Sequence, residues 1–241
     1  MITIIVSSFG EISNFIKHGK LLKQHCANNQ DIKSIEFGSQ NVYIIQSGVG
    51  IKNARIAASY AINNLKSEKV YITGVAGALD SDLKIGDVVV GDRVFSLQKD
   101  RSIKLEIIND TESCRFKTGG ILTHNRFVNT SLDKHELHLK SQAVVVDMET
   151  WGAAEVCEKL NIPLYAVRSV SDLLTDNLPD LGYIYNTSGR LNKTKSAIYF
   201  SKSPYLLYKY IEFRFYKLKK STDTLSIFLL EHFGIKINEN T

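Results

Sequence analysis

Apolar positions fall into short β-branched runs separated by turn residues, and between several of these runs the apolar period lengthens to that of a helix. Residues 2–6, Ile-Thr-Ile-Ile-Val, read as a strand that Ser7, Ser8 and Gly10 break. Ile12, Phe15, Ile16 and Leu22 then predict a helix over residues 11–27, with Glu11 at the strand-to-helix junction. Residues 42–46 repeat the strand pattern, end in Ser47-Gly48-Val49-Gly50, and lead into an Ala-rich helix over 53–65. Residues 70–73 do so again, with Gly74-Val75-Ala76-Gly77 as the expected turn. A strand, a glycine turn and a helix form the unit of a parallel sheet.

Residues 85–95 are a further strand, and 104–108 are expected to pair with it. From 110 to 138 the periodicity fades into expected loops around a short strand at 121–123. Val144-Val145-Val146-Asp147 reads as a buried strand running out into charge, with a helix over 153–160 packed back on it. Residues 163–172 form a last strand that terminates in Asp172, and 175–189 read as a loop or lid. Leu225, Phe228, Leu229 and Phe233 predict a final amphipathic helix.

With 241 residues, 44% hydrophobic and 23% charged, the chain suits one well-buried core and is short for two. No apolar run approaches the roughly 20 residues that span a bilayer, and no signal-peptide pattern opens the chain, so a cytoplasmic protein is expected. Cys26, Cys114 and Cys157 are odd in number and widely spaced, and read as reduced, semi-buried thiols. The six histidines show no metal-ligand pairing and read as surface residues, and Trp151 reads as core or oligomer interface.

Three carboxylates are placed by this reading at the carboxyl ends of strands: Glu11, Glu149 and Asp172. Ligands in α/β sheets bind at that edge. Taken alone, Asp147 and Glu149 are equally well read as acidic residues favouring the dipole of the following helix. The two glycine turns could bring backbone amides to an anion or a sugar, or could simply permit tight bends. Carboxylates in different environments divide acid and base roles, and cleaving a sugar from its leaving group needs that division.

The ordered set 70–79, 85–90, 146–149 and 167–172, with the Ser47-Gly48-Val49-Gly50 turn, resembles the nucleoside phosphorylase/nucleosidase superfamily. Within it, the set is similar to the methylthioadenosine/S-adenosylhomocysteine nucleosidases over roughly residues 1–175. The resemblance implies an α/β/α sandwich around a central mixed, partly barrel-like sheet, homo-oligomerisation, a small-molecule nucleoside substrate, and no metal or organic cofactor. It implies that Asp172 assists protonation of the purine N7, and that Glu149 holds the ribose hydroxyls with Met148 against the sugar. Glu11 would activate water, Phe127 and Val128 would stack on the base, and Ala76, Gly77 and Ser171 would complete the substrate contacts. Asp172→Asn is expected to lower turnover by orders of magnitude with little effect on folding.

Two departures bear on the chemistry. Val75 stands where the nucleosidases tend to carry a hydroxyl, and no arginine precedes Arg55 to cradle phosphate. The missing arginine favours hydrolysis, with phosphorolysis the alternative and a non-catalytic nucleoside-binding or membrane-associated scaffold the reading from another class. From Asp176-Asn177-Leu178-Pro179-Asp180 onward the chain is similar to the hopanoid-associated phosphorylases, which would imply an adenosyl lipid such as adenosylhopane.

Residues 1–190 are thus read as a catalytic domain and 191–241 as a basic, aromatic, helical extension packed on it. The net charge of +5 concentrates there: eight lysines and arginines between 193 and 220 interleave with Tyr and Phe, and Glu212 is the one acid. That stretch reads either as a peripheral membrane contact or as a packed helix with a solvated face. Nucleic-acid binding ranks third, since no motif for it is present.

Overall fold

The computed structural model describes residues 1–108, 116–184 and 192–235. Strand β1 (Ile2–Val6) leads through a 3₁₀ turn (Phe9–Ile12) into the short helix α1 (Ser13–Lys17). The helix expected over 11–27 ends there. Its second half is the hairpin β2 (Lys20–Ala27) and β3 (Gln30–Phe37), joined by Asn28 and Asn29, both at positive φ. A two-residue turn of that conformation matches the twist of antiparallel strands, and Asn tolerates it. Leu21 and Leu22 are exposed, so the spacing that predicted a helix marks no buried face.

Strand β4 (Gln40–Gln46) and helix α2 (Ile51–Asn63) follow as expected, α2 burying Ala54, Ala57, Ala58 and Ala61. Strand β5 (Lys69–Ala78) then runs straight through residues 74–77, where a turn was expected. Next come β6 (Val88–Ser96), β7 (Arg101–Lys104) and β8 (Lys117–Thr123). Pairing with β6 stops at Lys104; beyond it, Glu106 makes one bridge to Tyr165. Helix α3 (Ser131–Ser141) occupies a region expected to be loop. It exposes Leu132 and Leu139 and buries Lys134, an inverted pattern that leaves no apolar period to read.

Strand β9 (Val145–Asp147), helix α4 (Thr150–Leu160) and strand β10 (Leu164–Asp172) complete the sheet. The helix after β9 begins three residues earlier than the period alone indicated. Strands β10, β6, β8, β9 and β5 close on one another, and β1, β4, β3 and β2 extend outward from β5, which gives the mixed, partly barrel-like sheet. Alternate residues face opposite sides: Ile5, Ile45 and Ile72 pack towards α2 and α4, while Ile4, Ile44 and Tyr71 pack with Leu225, Phe228 and Leu229. Helices therefore cover both faces, as a sandwich requires.

The remaining helices are α5 (Leu181–Ile184), α6 (Lys193–Ser201), α7 (Pro204–Glu212), and, through a π turn at Phe213–Lys217, α8 (Leu218–His232). Residues 175–184 are thus part loop and part helix. Residues 185–189 of the expected lid, Cys114 and the 190/191 boundary lie outside the described residues. Trp151 and Cys157 are buried in the core, Cys26 is exposed, and of the six histidines His135 is exposed and the other five are half-buried. No described helix is long and apolar enough to cross a membrane.

Candidate active site

The site lies beside the middle of β5, and the register explains why. Along one edge of β5, β1 runs parallel and its pairing ends at Ile5 opposite Ile72. Along the same edge β9 runs antiparallel, with Val146 opposite Gly77. Residues 73–76 lie between those two neighbours, and the segments that leave β1 and β9 converge there. Glu149 therefore does not reach the site from a parallel strand end, as the sequence pattern implied; it arrives from the opposite direction. On the other edge, β10 pairs with β5 as far as Asp172 opposite Gly77, after an irregularity between Val170 and Asp172. Such bulges re-aim a side chain at a strand end.

Gly74 and Gly77 serve this convergence without making turns. A Cβ on Gly74 would lie 2.7 Å from Arg168 Nη1 and 3.0 Å from Glu11 Oε2. A Cβ on Gly77 would lie 2.9 Å from Asp172 Oδ2. The missing side chains are the space the carboxylates occupy. The Ser47–Gly50 segment is a true turn, with Gly48 and Gly50 at φ of +80° and +103°. Its amide does meet an anion: the Gly50 N–H donates to Glu149 Oε1 at 2.8 Å.

Glu11 is held by a reciprocal cap. The Ser8 N–H donates to Glu11 Oε2 at 3.4 Å, and the Ser8 hydroxyl accepts from the Gly10 N–H at 3.3 Å. Although Glu11 faces the cavity, its carboxyl is enclosed by protein, and this desolvation raises its pKa against the opposing pull of Arg168. Burial likewise pushes Glu149 up to about 7, with Arg168 opposing and the neighbouring Asp147 and Glu11 charges reinforcing the rise.

Asp147 is fully engaged elsewhere. It accepts from Thr123 Oγ1 at 2.6 Å, from the Thr150 N–H at 3.1 Å and from the Thr150 hydroxyl, and pairs with Arg168 at 2.5 Å. It thereby ties β8, the start of α4 and β10 together. Arg168, 1% exposed, stands among Asp147, Glu149 at 3.9 Å and Glu11. Asp172 accepts from the Ser171 hydroxyl at 2.7 Å and pairs at 2.5 Å with Lys134, whose side chain is wholly buried. Lys134 Nζ also donates to the Leu173 carbonyl at 2.6 Å.

All nine residues singled out from the sequence, Asp172, Glu11, Glu149, Met148, Phe127, Val128, Ala76, Gly77 and Ser171, line one cavity of about 290 Å³. That volume suits a small ligand. Val75 lines it too, as do Phe213, Arg214, Leu218 and Thr222 from the C-terminal helices. Sequence reasoning missed these last four, together with Arg168 and Lys134. Arg168 had a signal, a cation inside a buried β-branched run, where an unpaired charge is not tolerated. Lys134 had none, because only the tertiary fold makes its face of α3 the inner one.

The sequence profile of the phosphorylase superfamily matches residues 1–111 and 104–183. The chain belongs to the phosphorylase superfamily. It is accordingly an enzyme of N-glycosidic bond cleavage, a nucleosidase or a nucleoside phosphorylase. The 5′-methylthioadenosine/S-adenosylhomocysteine nucleosidase of Staphylococcus aureus is 30% identical over 159 residues, covering 56% of this chain and 69% of the relative. Among solved structures, a nucleosidase of the same name from Helicobacter pylori superposes with a TM-score of 0.71 at 19% identity, over 97% of each chain. That from Colwellia psychrerythraea, in complex with adenine, gives 0.71 at 20% identity over 97% of this chain and 94% of its own. Futalosine hydrolase of H. pylori gives 0.67 at 18%, over 95% and 97%. The fold shared with these structures thus extends past residue 183 into the C-terminal helices.

Proposed function

We propose that this member of the superfamily hydrolyses the N-glycosidic bond of an adenine-type nucleoside, of the class of methylthioadenosine, S-adenosylhomocysteine or an adenosyl lipid. The observation that carries the reading is the placement of Glu11 and Glu149 on one edge of β5 and Asp172 on the other, across 73–77. A nucleoside lying over that strand meets an acid at its base and two carboxylates at its sugar. Asp172, held as a carboxylate by Lys134, relays a solvent proton to the purine N7 as the bond to C1′ breaks, and Lys134 stabilises the carboxylate before and after the transfer. Glu149 accepts from the ribose hydroxyls, with Met148 against the ring, while Phe127 and Val128 flank the base. Glu11, whose raised proton affinity makes it the stronger base, takes a proton from water so that hydroxide adds to C1′. One proton leaves water and one enters adenine.

Water is favoured over phosphate by the charge balance. Arg168, the cation that acts on Glu11, is already opposed by Glu11, Asp147 and Glu149, so a phosphate dianion beside Glu11 would meet excess negative charge; Arg126 and Arg214, which also line the cavity, are the cations a phosphorylase would use instead. Homo-oligomerisation belongs to the same reading, with exposed Leu132 and Leu139 of α3 as apolar surface for it. Adenine release from the three substrates, followed with and without phosphate, tests the assignment. Release independent of phosphate supports it; a strict phosphate requirement with ribose 1-phosphate as product, or no release from any nucleoside, overturns it.

A further inference from the structure

The C-terminal helices present a surface that the catalytic reading leaves unused. From Pro204 to His232 the chain is one continuous helix through the π turn, and its α7 part buries no residue although it is largely apolar. Tyr205, Tyr208, Ile211 and Phe215, spaced three and four apart and so sharing a face, are 64%, 61%, 46% and 69% exposed. Tyr216 beside them is 68% exposed. Isolated exposed apolar residues need no explanation, but a contiguous aromatic stripe marks an interaction site.

Charge narrows the partner. Among the described residues no carboxylate pairs with Lys202 or Lys220, whereas Glu212, the one acid between 193 and 220, is taken by Lys209 at 3.3 Å. A second copy meeting this face about a two-fold axis would set the same cations against each other. Phosphate-bearing polymers would satisfy the lysines but leave Ile211 and the aliphatic edge of the stripe in water. A bilayer interface takes both, with Tyr and Phe at headgroup depth and lysines on anionic lipid. We propose that this face docks on an anionic lipid surface. The same helix contributes Phe213 and Leu218 to the catalytic cavity, so docking sets the cavity beside the membrane.

Co-sedimentation of the full chain with phosphatidylcholine vesicles, with and without phosphatidylglycerol, tests this independently of turnover. The chain is expected to pellet with the anionic vesicles only. The Lys202→Gln/Lys220→Gln pair should weaken partitioning by about fivefold per lysine, and Tyr208→Ser/Phe215→Ser should abolish it, with thermal unfolding and adenine release unchanged in both. Failure of the chain to pellet, pelleting of both variants like wild type, or displacement from the vesicles by a nucleic-acid duplex overturns the proposal. So does a vesicle-independent dimer that Tyr208→Ser/Phe215→Ser dissociates.

Discussion

Each carboxylate of the site is defined by the cation beside it. Lys134 changes what Asp172→Asn should do: the sequence alone implies a silent effect on folding, but removing the carboxylate strands a wholly buried ammonium. Alongside a loss of roughly 10²–10⁴ in turnover, Asp172→Asn is expected to cost about 3–5 kcal/mol of stability. Adding Lys134→Met should restore much of that stability and none of the turnover, measured by urea midpoints beside adenine release. If the double variant is no more stable than Asp172→Asn, the pair is not coupled. Glu149 makes a separate prediction through pH. Because its folded pKa is raised from 4.5 to about 7, the native state keeps a proton that the unfolded chain releases in that window. Its contribution to stability is therefore full below about pH 4.5 and lost as pH rises through about 7. Glu149→Gln should flatten the dependence of the urea midpoint between those limits, and an unchanged slope would refute the assignment. Ionised Glu149 is also the better acceptor for ribose hydroxyls, so KM should fall as pH rises through the same range.

Among the elements, the glycines show how much a sequence reader can and cannot see. The strands β1, β4, β5, β9 and β10 and helices α2 and α8 were legible because their apolar periods coincide with buried faces. Of the nine candidate site residues, Glu11, Glu149 and Asp172 were legible as carboxylates at strand ends, and Met148, Phe127, Val128, Ala76, Gly77 and Ser171 only through the resemblance to the superfamily. The hairpin β2–β3 was not, because its outer strand faces solvent and its leucines mimic a helical spacing. Helix α3 was not, because it buries Lys134. Gly74 and Gly77 were read as a turn, whereas the fold uses them as notches in a continuous strand; sequence marks a missing Cβ but not what fills the space. Gly152 makes the same point between helices. A Cβ there would lie 2.1 Å from the backbone oxygen of Ile51, so α4 approaches α2 as closely as glycine permits. Backbone cannot swing aside as a side chain would. Gly152→Ala is expected to destabilise by about 1–3 kcal/mol or more, read as a lowered denaturant midpoint, and an unchanged midpoint would mean the helices slide apart freely.

In the whole molecule, the C-terminal segment is where a division into catalytic domain and extension meets its physical test. Helix α8 buries Leu225, Phe228, Leu229 and Leu230 in the cluster that also holds Ile4, Ile44 and Val167 from the sheet. It is fastened by the Ser221 hydroxyl on the Val170 carbonyl at 2.5 Å and by Asn14 on Asp223 at 2.6 Å. Lys217 pairs with Asp176 at 2.8 Å, and Lys134 Nζ lies 3.5 Å from the Asp176 carbonyl, so the cover over the cavity is tied to the segment that follows Asp172. Elements that share one core unfold together. Leu229→Ala, at a fully buried position, should cost about 2–5 kcal/mol, with the urea midpoint lowered and the slope unchanged. Helical ellipticity and adenine-releasing activity should be lost in the same transition, in the variant as in wild type. A helix that merely rested on a finished domain would instead melt first, leaving a second transition at the wild-type midpoint with the activity intact until then.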